Sequence, residues 1–210
     1  MTGTTRILLI RHGQSEWNLL GRWQGQADPP LTDLGRTQAH SAARRLGTVD
    51  AIWSSDLQRA AETAAIISGE LGVGPVVLDD DLRERQVGEW EGLTRDEIDE
   101  RYPGWLKPPD GGPPRRPPGW ESDDDLATRV HVALRHIREA VGPGEVLAVA
   151  HAGLLYCIER ELGADGKSLG NLEGRWVDLL DDNGTLARSA RLGDRVTLLD
   201  PDELTIPNQI

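Results

Sequence analysis

Ile7-Leu8-Leu9-Ile10-Arg11-His12-Gly13-Gln14-Ser15-Glu16-Trp17-Asn18 decides how this chain is read, because four aliphatics run into an arginine, a histidine and then a glycine. β-Favouring residues bounded by Gly13 predict a strand buried on both faces, the kind found in parallel sheets covered by helices. In such sheets ligands collect at the carboxyl ends of the strands. Arg11 and His12 stand at that end, where a polar head is costly to bury without a partner. For one histidine alone, a ring bonded to a backbone carbonyl would be explanation enough. The pattern recurs, however, in Val146-Leu147-Ala148-Val149-Ala150-His151-Ala152-Gly153. Two such strand ends can face each other across one crevice.

With 210 residues, 38% of them hydrophobic, the chain can bury one core of ordinary size, so a single domain over 1–210 is expected. A net charge of -12 repels nucleic acid and anionic membrane surfaces. An anionic substrate would then need a local cluster of cations. Lysine occurs only at 107 and 167, which leaves arginine, suited to bidentate contact with phosphate, to supply it. Cys157 is the only cysteine, so no intrachain disulfide and no cysteine-based zinc site can form, and a reducing cytoplasm is the expected location. No apolar run approaches the length of a membrane span, and the N-terminus does not read as a signal peptide.

Along the chain, Thr32 stands where a helix N-cap should, with an apolar stripe from Leu34 to Leu46 and Gly47 as its stop. Strands are expected at Ala51–Ser55 and Val76–Leu78, with a helix over Leu57–Leu71 between them. Asp79, Asp80 and Asp81 read as a solvated turn, and Thr94 caps a helix through Arg101. The segment from Pro103 to Glu121 holds seven of the thirteen prolines and the pair Arg115-Arg116. It can be neither helix nor central strand and reads as a surface insertion or lid. Leu126–Val141 is a helix with Leu126, Val130, Ala133, Leu134 and Ile137 inward, and a further helix runs from Leu154 to Leu162. Trp176–Leu180 and Leu186–Leu192 flank Asn183-Gly184, a hairpin signal, and the tail after Asp200 reads as loose. The alternation of strand and helix predicts a three-layer α/β/α sandwich with a mostly parallel central sheet.

At Arg11-His12-Gly13, Arg59, Glu84 and His151-Ala152-Gly153 the sequence resembles the histidine phosphatase superfamily, which includes cofactor-dependent phosphoglycerate mutases and many phosphatases. The specific part is the run from Arg11 to Asn18, followed by Leu31-Thr32-Asp33-Leu34-Gly35, Ser54-Ser55-Asp56-Leu57-Gln58-Arg59-Ala60 and the late His-Ala-Gly. The resemblance implies a phosphate pocket at the strand ends, with His12 as nucleophile, Arg11, Arg59 and His151 around the phosphoryl group, and Glu84 as proton donor. It adds Asn18, Gln24 and Ala152 as candidate phosphate or substrate contacts, and Arg115 and Arg116 as candidate contacts from the insertion.

The residue types suit those roles on their own chemistry. Charge on the three equatorial oxygens of a phosphoryl group can be stabilised by fixed cations, so no metal and no cofactor is required. A neutral histidine is nucleophilic through one ring nitrogen, and a backbone carbonyl on the other would fix its tautomer. The leaving alkoxide needs a proton, which a carboxyl group can give and later retrieve from water. Glu84 fits if its neighbours Arg83 and Arg85 point elsewhere. Other chemistries fail on residue type, because neither a phosphate-binding Gly-x-x-x-x-Gly-Lys-Ser/Thr loop nor a Gly-x-Ser-x-Gly elbow is present. Where family mutases carry a tyrosine soon after the glutamate, this chain has Gln86-Val87-Gly88-Glu89-Trp90, which resembles the phosphatase branch. The expectation is a metal-independent phosphomonoesterase that hydrolyses a small phosphorylated metabolite, of phosphosugar or phosphoglycerate type such as glucosyl-3-phosphoglycerate, through a phosphohistidine. A phosphoglycerate mutase is the alternative, since Arg115-Arg116 matches an arginine pair of the mutases, and an inactive phosphate-binding module is the third. A homodimer is the candidate assembly.

Overall fold

Thr5–Arg11 forms the expected strand, β1, and its side chains divide by parity, as they must where successive residues point to opposite faces. The computed structural model describes residues 3–164, 167–180 and 190–205. Ile7 and Leu9 pack with Leu126, Val130 and Leu134 of α5 (Asp123–Val141) and with Leu154 and Ile158 of α6 (Ala152–Glu161). Leu8 and Ile10 pack with Ala42 and Ala43 of α2 (Asp33–Ala43) and with Ala60, Ala64 and Ile67 of α3 (Gln58–Leu71). Burying each such aliphatic contributes about 1.5–3 kcal/mol, so a strand apolar on both faces selects a layer of helices above and below.

Six strands form one sheet in the order β3-β2-β4-β1-β5-β6. β2 (Ala51–Ser54), β3 (Val77–Leu78) and β4 (Gly144–Ala150) run parallel to β1, while at the other edge β5 (Glu173–Leu179) pairs antiparallel with both β1 and the edge strand β6 (Ala190–Thr197). This is the expected α/β/α sandwich. The register of β1 on β4 pairs Arg11 with Ala150, which brings His12 and His151 out side by side at the ends of adjacent strands.

Helix starts follow the capping signals. The Thr32 hydroxyl accepts from Gly35 N–H, and Thr94, in a reciprocal box with Glu97, starts α4 (Arg95–Arg101). α5 begins three residues before Leu126, because the Ser122 hydroxyl accepts from Asp125 N–H and three aspartates complement the first turn. Its five predicted inward residues are all buried. Ser15, in turn, caps a one-turn helix, α1 (Glu16–Leu19).

Three expectations change. The turn at Asp79 is not simply solvated: the Asp79 side chain is 8% exposed, its carboxylate accepts from Asp81 N–H and it starts a 3-10 turn over Asp80–Leu82 that buries Leu82 completely. The tail is tied down as far as Thr205, whose carbonyl accepts from Asn171 N–H at 2.9 Å and whose hydroxyl donates to the Asn171 side chain at 2.8 Å. The insertion is anchored as well as exposed: Leu106 is buried with Trp23, Val87, Trp90 and Ile98, and Trp105 and Trp120 pack on the same cluster. Asn183-Gly184 and the residues from Leu186 to the start of β6 lie outside the described residues.

Candidate active site

The backbone leaving β1 is held one N–H at a time. His12 N–H donates to Ala150 O at 3.1 Å, Gly13 N–H to Thr63 Oγ1 at 3.1 Å, Gln14 N–H to Gln38 Oε1 at 2.9 Å and Ser15 N–H to Asn18 Oδ1 at 3.2 Å. Gly13 is required by closeness, since a Cβ there would stand 2.6 Å from Gly35 O. The two glycines of the Arg-His-Gly and Leu-Thr-Asp-Leu-Gly segments therefore meet, and α2 lies directly against the loop.

His12 Nδ1 is 2.6 Å from Gly13 O, so Nδ1 carries the hydrogen and Nε2 keeps its lone pair. The Nε of Arg59 donates to that Nε2 at 3.3 Å, and the remaining Arg59 nitrogens are fixed on Ala27 O at 2.7 Å and Gly25 O at 2.9 Å. Arg59 has no exposed surface. Burial pulls its pKa down to about 10, against the opposing pull of Glu84 and Asp28, and it stays charged at neutral pH. Arg11 Nη1 donates to Leu169 O at 2.6 Å, while its buried Nε has no partner among the described residues. Burial, joined by Arg59 and Arg11, pushes His12 well below the ordinary imidazole range. His151, its ring centroid 5.1 Å from that of His12, is pushed the same way by burial and by Arg59. Neither ring nitrogen of His151 has a hydrogen-bond partner among the described residues. A neutral imidazole with its lone-pair face toward charged guanidinium groups is the result.

Glu84 reaches the site from the loop after the Asp80–Leu82 turn. Its Oε1 accepts from Arg85 N–H at 2.7 Å and its Oε2 from Gly153 N–H at 3.2 Å, at the start of α6. Arg83 turns away onto Asp56, as expected. Arg85 does not: it stands on the cavity wall, paired with Asp123 at 2.8 Å, and so is not clear of the site.

These groups open onto a cavity of about 570 Å³, far larger than a phosphate alone needs. Of the expected residues, Arg11, His12, Gln24, Glu84, Ala152 and Arg116 line it. Arg59 and His151 have no exposed surface and are not wall residues, each lying against the His12 ring. Asn18 is a correction: it is buried in the α1 capping box, accepting from Ser15 N–H and from Asn171 Nδ2, and does not line the cavity. Arg115 is another, being exposed outside the wall with its backbone N–H on Trp105 O. Arg116 instead lies over the Trp120 ring, 4.3 Å from its centroid.

Other site residues carried no local signal. Asn171, fully buried, donates to His12 O at 2.8 Å, and Leu172, held at φ 56, sends its N–H to Arg11 O. Tyr156 and Trp120 join the wall from distant segments. As possible metal ligands, the described residues Asp79, Asp81 and His136 bring one ligand atom each within 4.8 Å of one another. They do not line the cavity, and the Asp79 carboxylate already serves as the cap of the 3-10 turn.

Comparison with known proteins agrees with this geometry. A probable phosphoglycerate mutase of Photorhabdus laumondii is 38% identical over 73% of this chain and 72% of its own length. A glucosyl-3-phosphoglycerate phosphatase of Mycolicibacterium vanbaalenii is 38% identical over 75% of this chain and 73% of its own length. Among solved structures, a mycobacterial glucosyl-3-phosphoglycerate phosphatase complexed with VO3 superposes with a TM-score of 0.72 and 32% identity, covering 89% of this chain and 96% of that one. The family model described as histidine phosphatase superfamily (branch 1) matches residues 7–181, and the chain belongs to that superfamily.

Proposed function

We propose that the protein is a phosphoric monoester hydrolase acting on a small phosphorylated metabolite through a phosphohistidine on His12. The observation that carries this is the single available lone pair on a buried, neutral His12, with Nδ1 committed to Gly13 O and Nε2 facing Arg59. In the first step Nε2 bonds to phosphorus while the bond from phosphorus to the leaving oxygen breaks, and Glu84 gives that oxygen its proton. Water then adds to phosphorus, the nitrogen–phosphorus bond breaks, and Glu84 takes the proton back. Arg11 and Arg59 hold the equatorial oxygens, supplying the charge that a metal supplies elsewhere. A bound phosphoryl dianion would favour the protonated form of His151, whose ring nitrogens are free to donate to it.

A phosphosugar or phosphoglycerate-type substrate is the class supported, by the size of the cavity and by the relatives named for glucosyl-3-phosphoglycerate. One relative named as a probable mutase keeps transfer to a second hydroxyl as the alternative. Rapid quenching with labelled substrate tests the central step. A label that is lost in acid, survives base and is absent from His12→Ala is expected, whereas an acid-stable label would sink the assignment. Activity that persists after exhaustive EDTA treatment is expected with it. Release of inorganic phosphate, rather than isomerised phosphoglycerate, separates hydrolase from mutase.

A further inference from the structure

Arg129 of α5 stands outside the phosphate pocket, yet every one of its guanidinium N–H groups is spent on the segments that flank Glu84. Nε donates to Glu121 Oε1 at 2.6 Å and Nη2 to Glu121 Oε2 at 2.9 Å. Nη1 donates to Asp81 O at 2.9 Å and to Arg83 O at 2.6 Å, and Nη2 also reaches Glu84 O at 3.1 Å. A guanidinium has five N–H donors in a rigid fork, and here all five are used, three of them on the carbonyls of Asp81, Arg83 and Glu84 along the segment that carries Glu84. The pair is largely shielded, with side-chain exposures of 16% and 13%.

Glu121 extends this bracket to the insertion. Its backbone N–H donates to Gln86 O at 2.9 Å, its carboxylate accepts from Gln86 N–H at 3.1 Å, and its carbonyl accepts from Arg85 Nη1 at 2.8 Å. Val87 and Trp120 pair as an isolated β-bridge next to it. The acid loop and the end of the insertion are thus one ladder, riveted by a side chain from the helix beneath. The other end of Glu84 is fixed by the Arg85 and Gly153 N–H groups.

We propose that Arg129 is a positioning residue for proton transfer: together with Glu121 it holds the Glu84 loop so that its carboxyl meets the leaving oxygen. This rests on the assignment of Glu84 as the acid. Displacement of a catalytic group by a fraction of a chain's thickness is enough to reduce transfer, since a general acid must come within hydrogen-bond reach of the atom it protonates. Arg129 also contributes a positive charge felt at His151. The informative variant is therefore Arg129→Lys, which keeps the charge and loses the fork.

The test reads kcat/KM, which reports the steps through transfer to His12, over a series from p-nitrophenyl phosphate through phenyl phosphate to glycerol 3-phosphate. R129K is expected to lose about tenfold or more on the alkyl ester and less than about twofold on the nitrophenyl ester, whose leaving group needs little protonation. Vanadate affinity, which depends on Arg11, Arg59 and the two histidines, should not change. Glu121→Gln is expected to tilt the series in the same direction by a smaller amount, and it supplies the measurement if R129K folds poorly. Losses of equal size on all three esters, or vanadate affinity falling in step with turnover, would reveal a merely structural residue and overturn the proposal. Glu84→Gln is run alongside. A steep series in E84Q with a flat one in R129K and E121Q overturns the role of Arg129 alone, while a flat series in E84Q removes the acid assignment and this role with it.

Discussion

Arg59 donates through Nε to His12 Nε2, the nitrogen that the proposed mechanism sends to phosphorus, at 3.3 Å, while Gly13 O takes the hydrogen on the opposite side of the ring at 2.6 Å. One hydrogen bond fixes the tautomer and the other marks where the electrophile arrives. In the proposed mechanism the Arg59 N–H that caps the lone pair is released as phosphorus arrives, so binding would exchange a nitrogen acceptor for an anionic oxygen. Charge-assisted bonds of that kind are roughly twice as strong as neutral ones. The cation thus guards the nucleophile when the site is free and stabilises the anion when it is filled.

Burial of both imidazoles makes stability depend on pH with a definite sign. His12 and His151 lie well below the ordinary value of 6.5, and burial lowers His131 as well. As pH falls below 6.5 the unfolded chain takes up protons that the native state refuses. The stabilisation present above 6.5 is therefore lost as pH falls toward the folded values, by up to about 1.4 kcal/mol per pH unit for each of the two buried groups. Denaturant melts between pH 7.5 and 5 should show this decline, and His151→Gln should remove close to half of its slope. An unchanged slope in that variant would rule out His151 as a contributor. For the same reason the acid limb of kcat/KM should lie below pH 6.5, since His12 stays neutral there.

Gly153 offers a way to displace Glu84 without altering it. A Cβ at this position would fall inside van der Waals contact with Glu84 Oε1, and the atom it meets is the end of a flexible side chain rather than backbone. Gly153→Ala should fold with little loss of stability and swing the carboxyl away. Its expected loss is about tenfold or more in kcat/KM on alkyl phosphates, with aryl phosphates nearly spared. Gly13→Ala makes the contrast, because there the obstacle is Gly35 O, at 2.6 Å. That variant should lose several kcal/mol of stability, about the cost of overpacking a core or more. Equal melting temperatures for the two would contradict the distinction.

The strand-end histidines, the two arginines and the layer order were legible because each rests on local pattern: parity on β1, capping residues before α2, α4 and α5, and short motifs beside glycines. The rest depends on tertiary contact. Nothing near Asn171 in the chain signals that its side chain would hold His12 O, 159 residues away. Arg115 and Arg116 look alike in sequence, and only the packing of Trp120 on Trp23 and Trp90 decides which of them faces the cavity. The tail looked loose because prolines suppress periodicity, although Glu203 and Thr205 pair with Ser41 and Gln38.

Asn171 should matter for both stability and rate. Its Nδ2 serves His12 O and Asn18 Oδ1, its Oδ1 accepts from the Thr205 hydroxyl, and Asn171 itself has no exposed surface. Asn171→Leu leaves the His12 carbonyl buried and unpaired, at a cost of about 1–3 kcal/mol. A shift of the denaturation midpoint with an unchanged m-value would register it. Because the carbonyl belongs to the nucleophile itself, kcat should fall together with stability. Thr205→Val, which removes the hydroxyl that donates to Asn171 Oδ1 and accepts from Gln38 Nε2 but leaves the bond to His12 O, should cost about 1–2 kcal/mol and leave kcat intact. A rate loss in Thr205→Val as large as in Asn171→Leu would mean that the effect comes through the tail rather than through the His12 carbonyl.

Arg116 and Arg115 should behave as opposites although they are neighbours. Of the cavity arginines, Arg85 and Arg160 both pair with Asp123, at 2.8 and 2.7 Å, and Arg11 is fixed on Leu169 O at the phosphate end. Arg116 has no carboxylate partner among the described residues and is held in place by the Trp120 face, 4.3 Å from its centroid. A planar cation stacked on an indole at the mouth of a roomy cavity is preorganised for a second anion on the substrate, such as a carboxylate. Arg116→Ala should then raise KM about tenfold for a carboxylated phosphoester such as 3-phosphoglycerate, the loss of one charge-assisted contact at about 1.5–3 kcal/mol being partly screened by solvent. p-Nitrophenyl phosphate, with no second anion, should keep its KM. Arg115→Ala should leave both unchanged, since that side chain lies off the wall. Trp120→Leu, which removes the stacking face while leaving the charge, should reproduce part of the Arg116 effect. Parallel kinetics on the two esters decide the matter: identical KM values for Arg116→Ala and the parent protein on both would leave the insertion without a part in choosing the substrate.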